Sequence, residues 1–196
     1  MTFSLVLLGF ALNLLFVLPP GPLAVTLVEV GVSQGRAAGA RSGIGIAAGD
    51  LAVGSAAGLL VVSGGVLPDG AFGTVQVVSA VALIAIGVAM AVRPSTVESV
   101  AGAIQRPVRA FFLLTVLTPT VFGAWIAIIT ALPFADDFDA ILAFVIGAGI
   151  ASAAYHVALG SAAGEVGRHV SGPVMIRVAQ AGGVLFAGVG VLMLLG

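Results

Sequence analysis

Six apolar runs, each about as long as a bilayer core is thick, decide what this chain can fold into. They cover Leu5 to Ser33, Gly43 to Val66, Val75 to Val92, Val108 to Leu132, Ala140 to Gly160 and Val174 to Leu195. A helix rises about 1.5 Å per residue, so roughly 20 residues match a hydrocarbon core about 30 Å thick. Composition agrees, because 60% of the 196 residues are hydrophobic and only 8% are charged. A soluble domain carries about a quarter charged residues. The expected fold class is an all-α integral membrane protein with six transmembrane helices, in a single domain over residues 1–196. The first run is preceded by no basic segment and followed by no small-residue cleavage site, so it is expected to stay in the mature protein.

The charges set an expected orientation. All seven basic residues are arginines. Arg36 and Arg41 lie between runs one and two, Arg93, Arg106 and Arg109 around the connection of three to four, and Arg168 and Arg177 between five and six. The other two connections hold only acids, Asp69 and then Asp136, Asp137 and Asp139. Positive loops stay in the cytoplasm, which places the chain in the cytoplasmic membrane with both termini outside. A net charge of −1 gives no footprint for nucleic acid. There is no cysteine for disulfide or thiol redox chemistry, and no lysine for a phosphate-binding loop. No catalytic constellation such as HExxH or GxSxG occurs, so no enzyme and no cofactor or metal site is expected.

The first run is interrupted at LPPGPLAV, Leu18 to Val25. Pro19, Pro20 and Pro22 lack amide donors and crowd preceding carbonyls, so they break the helix where no water replaces the lost bonds. A weaker echo, TVLTPTVFG from Thr115 to Gly123, sets Pro119 against Pro20. Three runs separate the two, so the second copy would enter the membrane from the opposite side. The expected arrangement is therefore two inverted three-helix repeats, about 1–92 and 107–196, with proline-broken helices one and four. GIGIAAGD (Gly43 to Asp50) pairs likewise with GAGIASAA (Gly147 to Ala154), which brings Asp50 near Tyr155 and His156. Counted from the nearest arginines, Pro22, Asp50, Pro119 and His156 all fall roughly 13 to 20 Å deep, near the bilayer midplane.

The run PPGPLAVTLVEVGVSQGRAAGARSGIGIAAGD, Pro19 to Asp50, resembles the N-terminal signature of the LysE/RhtB amino-acid exporters: PGP, an apolar half-helix, SQGR, a small-residue loop and a GxxxGD-like entry into the second span. Length, six spans and a second proline break extend the likeness along the chain. The resemblance implies a secondary exporter of amino acids or related small metabolites, driven by the proton gradient. Two positions depart from it. Leu23 follows PGP where a polar residue is frequent, and the second signature, usually Asn-Pro-Lys, reads Thr118, Pro119, Thr120.

Site candidates follow from depth and chemistry. Asp50 and His156 are assigned to proton coupling, because an intramembrane carboxylate is costly and histidine changes charge near neutral pH. Pro20, Gly21, Pro22, Thr118, Pro119, Thr120 and Tyr155 are assigned to substrate binding, since a broken helix exposes polar backbone to a ligand. Plainer readings stand beside these: a structural kink at the prolines, a helix-to-helix hydrogen bond at Asp50, packing at His156 and Tyr155, back-bonding of Thr118 and Thr120 to their helix. Glu29 is expected near the cytoplasmic interface, solvated or paired with arginine, Trp125 at the outer interface as an anchor, and Ala135 to Ala140 as an exposed loop. Glycines four apart (Gly45 and Gly49, Gly54 and Gly58, Gly160 and Gly164) allow close helix packing, within the chain or in a homodimer. The expected partners are a small-molecule substrate, protons and the lipid bilayer. Two other functions fit the same residues: a cation exporter using Asp50, His156 and Glu29, with residues 135–140 as a capture loop, or a non-transporting membrane partner subunit.

Overall fold

The structure, a computed structural model, describes residues 2–18, 22–64, 104–166 and 172–195, with scattered positions between 77 and 92. Its regular elements are helices: α1 (Thr2–Val17), α2 (Pro22–Gln34), α3 (Arg36–Val62), α4 (Pro107–Val116), α5 (Pro119–Thr130), α6 (Phe138–Val166) and α7 (Gly172–Leu195). The described positions between 77 and 92 are helical too. Residues Pro20 and Gly21, and charged residues Asp69, Arg93 and Arg168, lie outside the described residues, as do the side chains of Pro22 and Thr120. Among the described residues, α3 and α6 are each long and apolar enough to cross a membrane, and α4 with α5, bent by 59°, makes a third if the pair is one span.

Both proline segments interrupt helices. α1 ends at Val17, Leu18 is a bend, and α2 starts at Pro22. With 16 and 13 residues, α1 and α2 are each shorter than the roughly 20 needed to cross alone. At the second break Thr118 is extended, with φ −88° and ψ 107°, the conformation a following proline imposes on its predecessor. SQGR makes a one-residue connection. Ser33 donates back to the Glu29 carbonyl at 2.7 Å, Gln34 reaches the Ile104 carbonyl at 3.1 Å, and Gly35 alone separates α2 from α3. Gly35 has φ +88° with no neighbouring atom near its missing Cβ. Its backbone conformation, not crowding, requires glycine.

Glycine positions fix the register. Gly39 packs on Gly160, Gly43 on His156 and Gly58 on Ile141, so α3 and α6 run antiparallel. Gly45 faces Val108 and Phe111, and Gly49 faces Thr115, so α3 and α4 run parallel. Arg36, Arg106 and Arg109 therefore lie at one end of the bundle, and the acidic segment before α6 at the other. In lipid, close backbone approach replaces the hydrophobic drive that packs soluble helices. These six glycines all serve contacts within the chain. Gly190 of α7 similarly meets Ala80 and Ile84.

Two apolar clusters fill the interior. Leu27, Val30, Ile46 and Phe111 form one toward the arginine end. Val53, Ala57, Trp125, Ile129, Ile141 and Phe144 belong to the other, toward the acidic end. Three expectations change here. Trp125 is not an interface anchor: it is buried, edge-on to Phe144 with ring centroids 6.4 Å apart, because Gly54 leaves room for the indole. Glu29 is 8% exposed rather than solvated, because the one-residue turn at Gly35 folds α2 back against α3 and α6. Residues 135–140 are only partly a loop. Asp137 accepts from the amides of Asp139 and Ala140 at 3.0 and 3.1 Å and caps the start of α6, satisfying amides that the helix itself cannot.

Candidate functional site: a buried polar chain between two apolar clusters

Along α3, Asp50 falls between Ile46 of one apolar cluster and Val53 of the other. It stands 14 residues after Arg36, about 21 Å along the helix. From α6, Ser152 meets it at a similar depth. The Ser152 hydroxyl donates to Asp50 Oδ2 at 2.6 Å. One turn further on, His156 Nδ1 lies 3.1 Å from Ser152 Oγ and 2.9 Å from the Ser152 carbonyl oxygen. Exposures of 9% for Asp50, 0% for Ser152 and 5% for His156 place the whole chain in the interior.

The hydrogen positions follow from the partners. A carbonyl oxygen can only accept, so His156 Nδ1 carries the hydrogen and shares it between Ser152 O and Oγ. In the neutral ring Nε2 is then the acceptor, directed away from Ser152. The result is a directional array of imidazole, hydroxyl and carboxyl groups. α3 contributes two requirements: Gly43 lets the α6 backbone approach at His156, and Gly49 leaves room for Thr115. Thr115 is fully buried, and its hydroxyl returns to the Phe111 carbonyl at 2.8 Å. It packs in the last turn of α4, so the second break sits beside the Asp50 turn.

α1 and α2 both pack on the same stretch of α6. Asn13 of α1 donates to the Ala148 carbonyl at 2.9 Å, while Gly31 of α2 packs on Gly160. Ser152 and His156 occupy the part of α6 between those contacts. Both expected proton-coupling residues are thus brought together. The expected substrate residues are more dispersed. Tyr155 is half-buried with its ring edge-on to His156, centroids 5.0 Å apart. Pro119 is exposed, and Thr118 turns its hydroxyl back to the Leu114 carbonyl. The Thr118 amide bonds Thr115 O at 3.2 Å. Two carbonyls at this break are therefore satisfied in place, and Thr118 gives no side-chain cap to α5.

Sequence reasoning missed Ser152, the central member. Its signal was the four-residue spacing to His156, which puts both on one helix face. Among the described residues, no three of His, Asp and Glu come together as a metal-binding group, so Glu29 does not join Asp50 and His156. In comparisons with known proteins, the model of the LysE type translocator family matches residues 14–196. No curated protein and no solved structure matches the chain.

Proposed function

We propose, on the premise that this chain belongs to the LysE type translocator family, that it is a secondary active exporter of amino acids or related small metabolites, exchanging them for protons across the cytoplasmic membrane. The observation that carries this reading is the buried Asp50–Ser152–His156 chain, set between apolar clusters and beside a helix break. A carboxyl group at that depth is costly unless it serves a partner or a pathway. An antiporter needs one group for which proton and cargo compete. The ammonium of an amino acid favours the Asp50 carboxylate and expels its proton; when cargo leaves, the carboxylate is reprotonated.

Ser152 and His156 form the route for that proton. A proton taken at His156 Nε2 makes the imidazolium. Nδ1 then passes its hydrogen to Ser152 Oγ as the hydroxyl passes its own to Asp50 Oδ2, leaving a neutral ring protonated at Nε2. The two apolar clusters are the natural closures on either side, opened alternately as the halves of the protein rock. In this reading the six spans form two inverted repeats, and the termini lie outside. The N-terminal end of α5 supports the cargo carboxylate through the helix dipole, since Pro119 has no amide and the Val121 amide already bonds the Thr118 carbonyl at 3.1 Å.

The test is counterflow and efflux from proteoliposomes loaded with a panel of labelled amino acids, with and without an imposed pH gradient. Divalent cations form the second arm. Amino-acid movement that accelerates with the gradient is expected. Cation movement alone, or none of either class, would overturn the proposal.

A further inference from the structure

Toward the acidic end from Asp50, helices α1, α5 and α6 line a cavity of about 320 Å³ that is open on the side where Leu15 and Phe16 of α1 are exposed. Leu12 and Asn13 come from α1, Trp125 and Ile128 from α5, and Phe144 and Ala148 from α6. Its size is at the lower end of the roughly 300 to 1,000 Å³ of small-molecule sites. The two aromatic walls are fixed by burial and by their edge-on contact at 85°. Ala148 stands one turn before Ser152 on the same face of α6, a rise of about 6 Å. The cavity therefore ends one turn from the polar chain, and on its wall Asn13 donates to the Ala148 carbonyl.

We propose that this cavity is the subsite for a bulky apolar side chain of the exported molecule, leucine or phenylalanine in size, with the molecule's ammonium at Asp50. The inference rests on the exporter reading and adds the substrate class. Three features carry it. The walls are almost entirely apolar, so a charged side chain would lose its hydration without a partner. One helix turn is within reach of such a side chain from its own ammonium. Asn13 would burden a groove meant for a lipid tail, but beside an amino acid its remaining carboxamide bonding sites meet the cargo's backbone groups.

Trp125 is the single tryptophan of the chain, so its fluorescence reports the cavity directly. With the purified full-length protein, leucine and phenylalanine are expected to give saturable changes in emission, and glycine and lysine none. Leu12→Phe, which fills the cavity from its rim, should weaken leucine binding at least tenfold at an unchanged melting temperature. Leu59→Phe, on an exposed α3 position remote from the cavity, should leave binding as it was. Equal leucine binding by Leu12→Phe would overturn the proposal. So would quenching of Trp125 by bromine-labelled acyl chains that leucine does not displace, which would assign the cavity to lipid. Leucine efflux without any Trp125 response sinks the subsite and leaves the exporter standing. A leucine-dependent Trp125 response without efflux of any amino acid does the reverse.

Discussion

At the scale of single residues, the short contact between Asp50 and Ser152 separates structural from functional readings of the carboxyl group. Hydrogen bonds between transmembrane helices average about 0.6 kcal/mol, because groups unfolded within the membrane find other partners. Losing one leaves a helical bundle intact. Asp50→Asn keeps the shape and an oxygen that accepts from Ser152, but removes the titrating group. It is expected to insert and melt like the parent, yet to move substrate no faster when a pH gradient is imposed on proteoliposomes. Full gradient-driven transport by Asp50→Asn would make the carboxylate structural. Ser152→Ala tests the relay separately: substrate binding persists while gradient-driven exchange falls at least tenfold. An undiminished rate would mean that Asp50 exchanges protons without the hydroxyl. Asp50 and His156 were legible in the sequence because ionisable side chains are rare in apolar runs. Ser152 was not, since a serine among Gly and Ala looks like helix packing until the facing helix supplies its carboxylate.

At the scale of elements, prolines were the most readable feature, and their local chemistry the least. Pro119 has no amide, and it forces Thr118 out of the helical region; both effects can be derived without a structure. That Thr118 then satisfies Leu114 and Thr115 through its own hydroxyl and amide depends on geometry, and it means that this break yields less free backbone than the motif suggests. Trp125 was misplaced, and Glu29 is more buried than the solvated alternative expected, for a related reason. Distance along one helix gives depth, but burial depends on neighbours such as α6 and Gly54, which lie far away in sequence. Pro119→Ala restores an amide that can bond Thr115 O and relaxes the bend of 59°. The cysteine-free chain allows spin labels at Val108→Cys and Thr130→Cys, both exposed positions. Straightening should lengthen their separation by about 4 Å, from a rise of about 1.5 Å per residue, and slow transport. An unchanged distance would show that tertiary packing, not proline, holds the bend.

At the scale of the whole molecule, helix directions and charge agree in a way that makes orientation testable. α3 and α4 begin at the same end and run parallel, while α6 opposes them. Arg36, Arg106 and Arg109 thus share one end with the close of α6, and Asp136, Asp137 and Asp139 lie at its start. A single sequence shows the segregation of charge between loops, but the register at Gly39–Gly160 and Gly49–Thr115 is what assembles those loops into two faces. Short arginine-bearing loops resist export, so the arginine face is expected in the cytoplasm. α6 must then descend from outside to inside, and α7, beginning beyond it at Gly172, must return. The C-terminus is consequently expected to face outward. A reporter active only in the cytoplasm, fused after Gly196, should stay silent, and the same reporter inserted in the connection after Val166 should be active. The two fusions control each other, because a protein that fails to insert would silence neither. Activity at Gly196 with silence after Val166 would reverse the orientation, and with it the direction in which the apolar clusters open and the side from which His156 receives its proton.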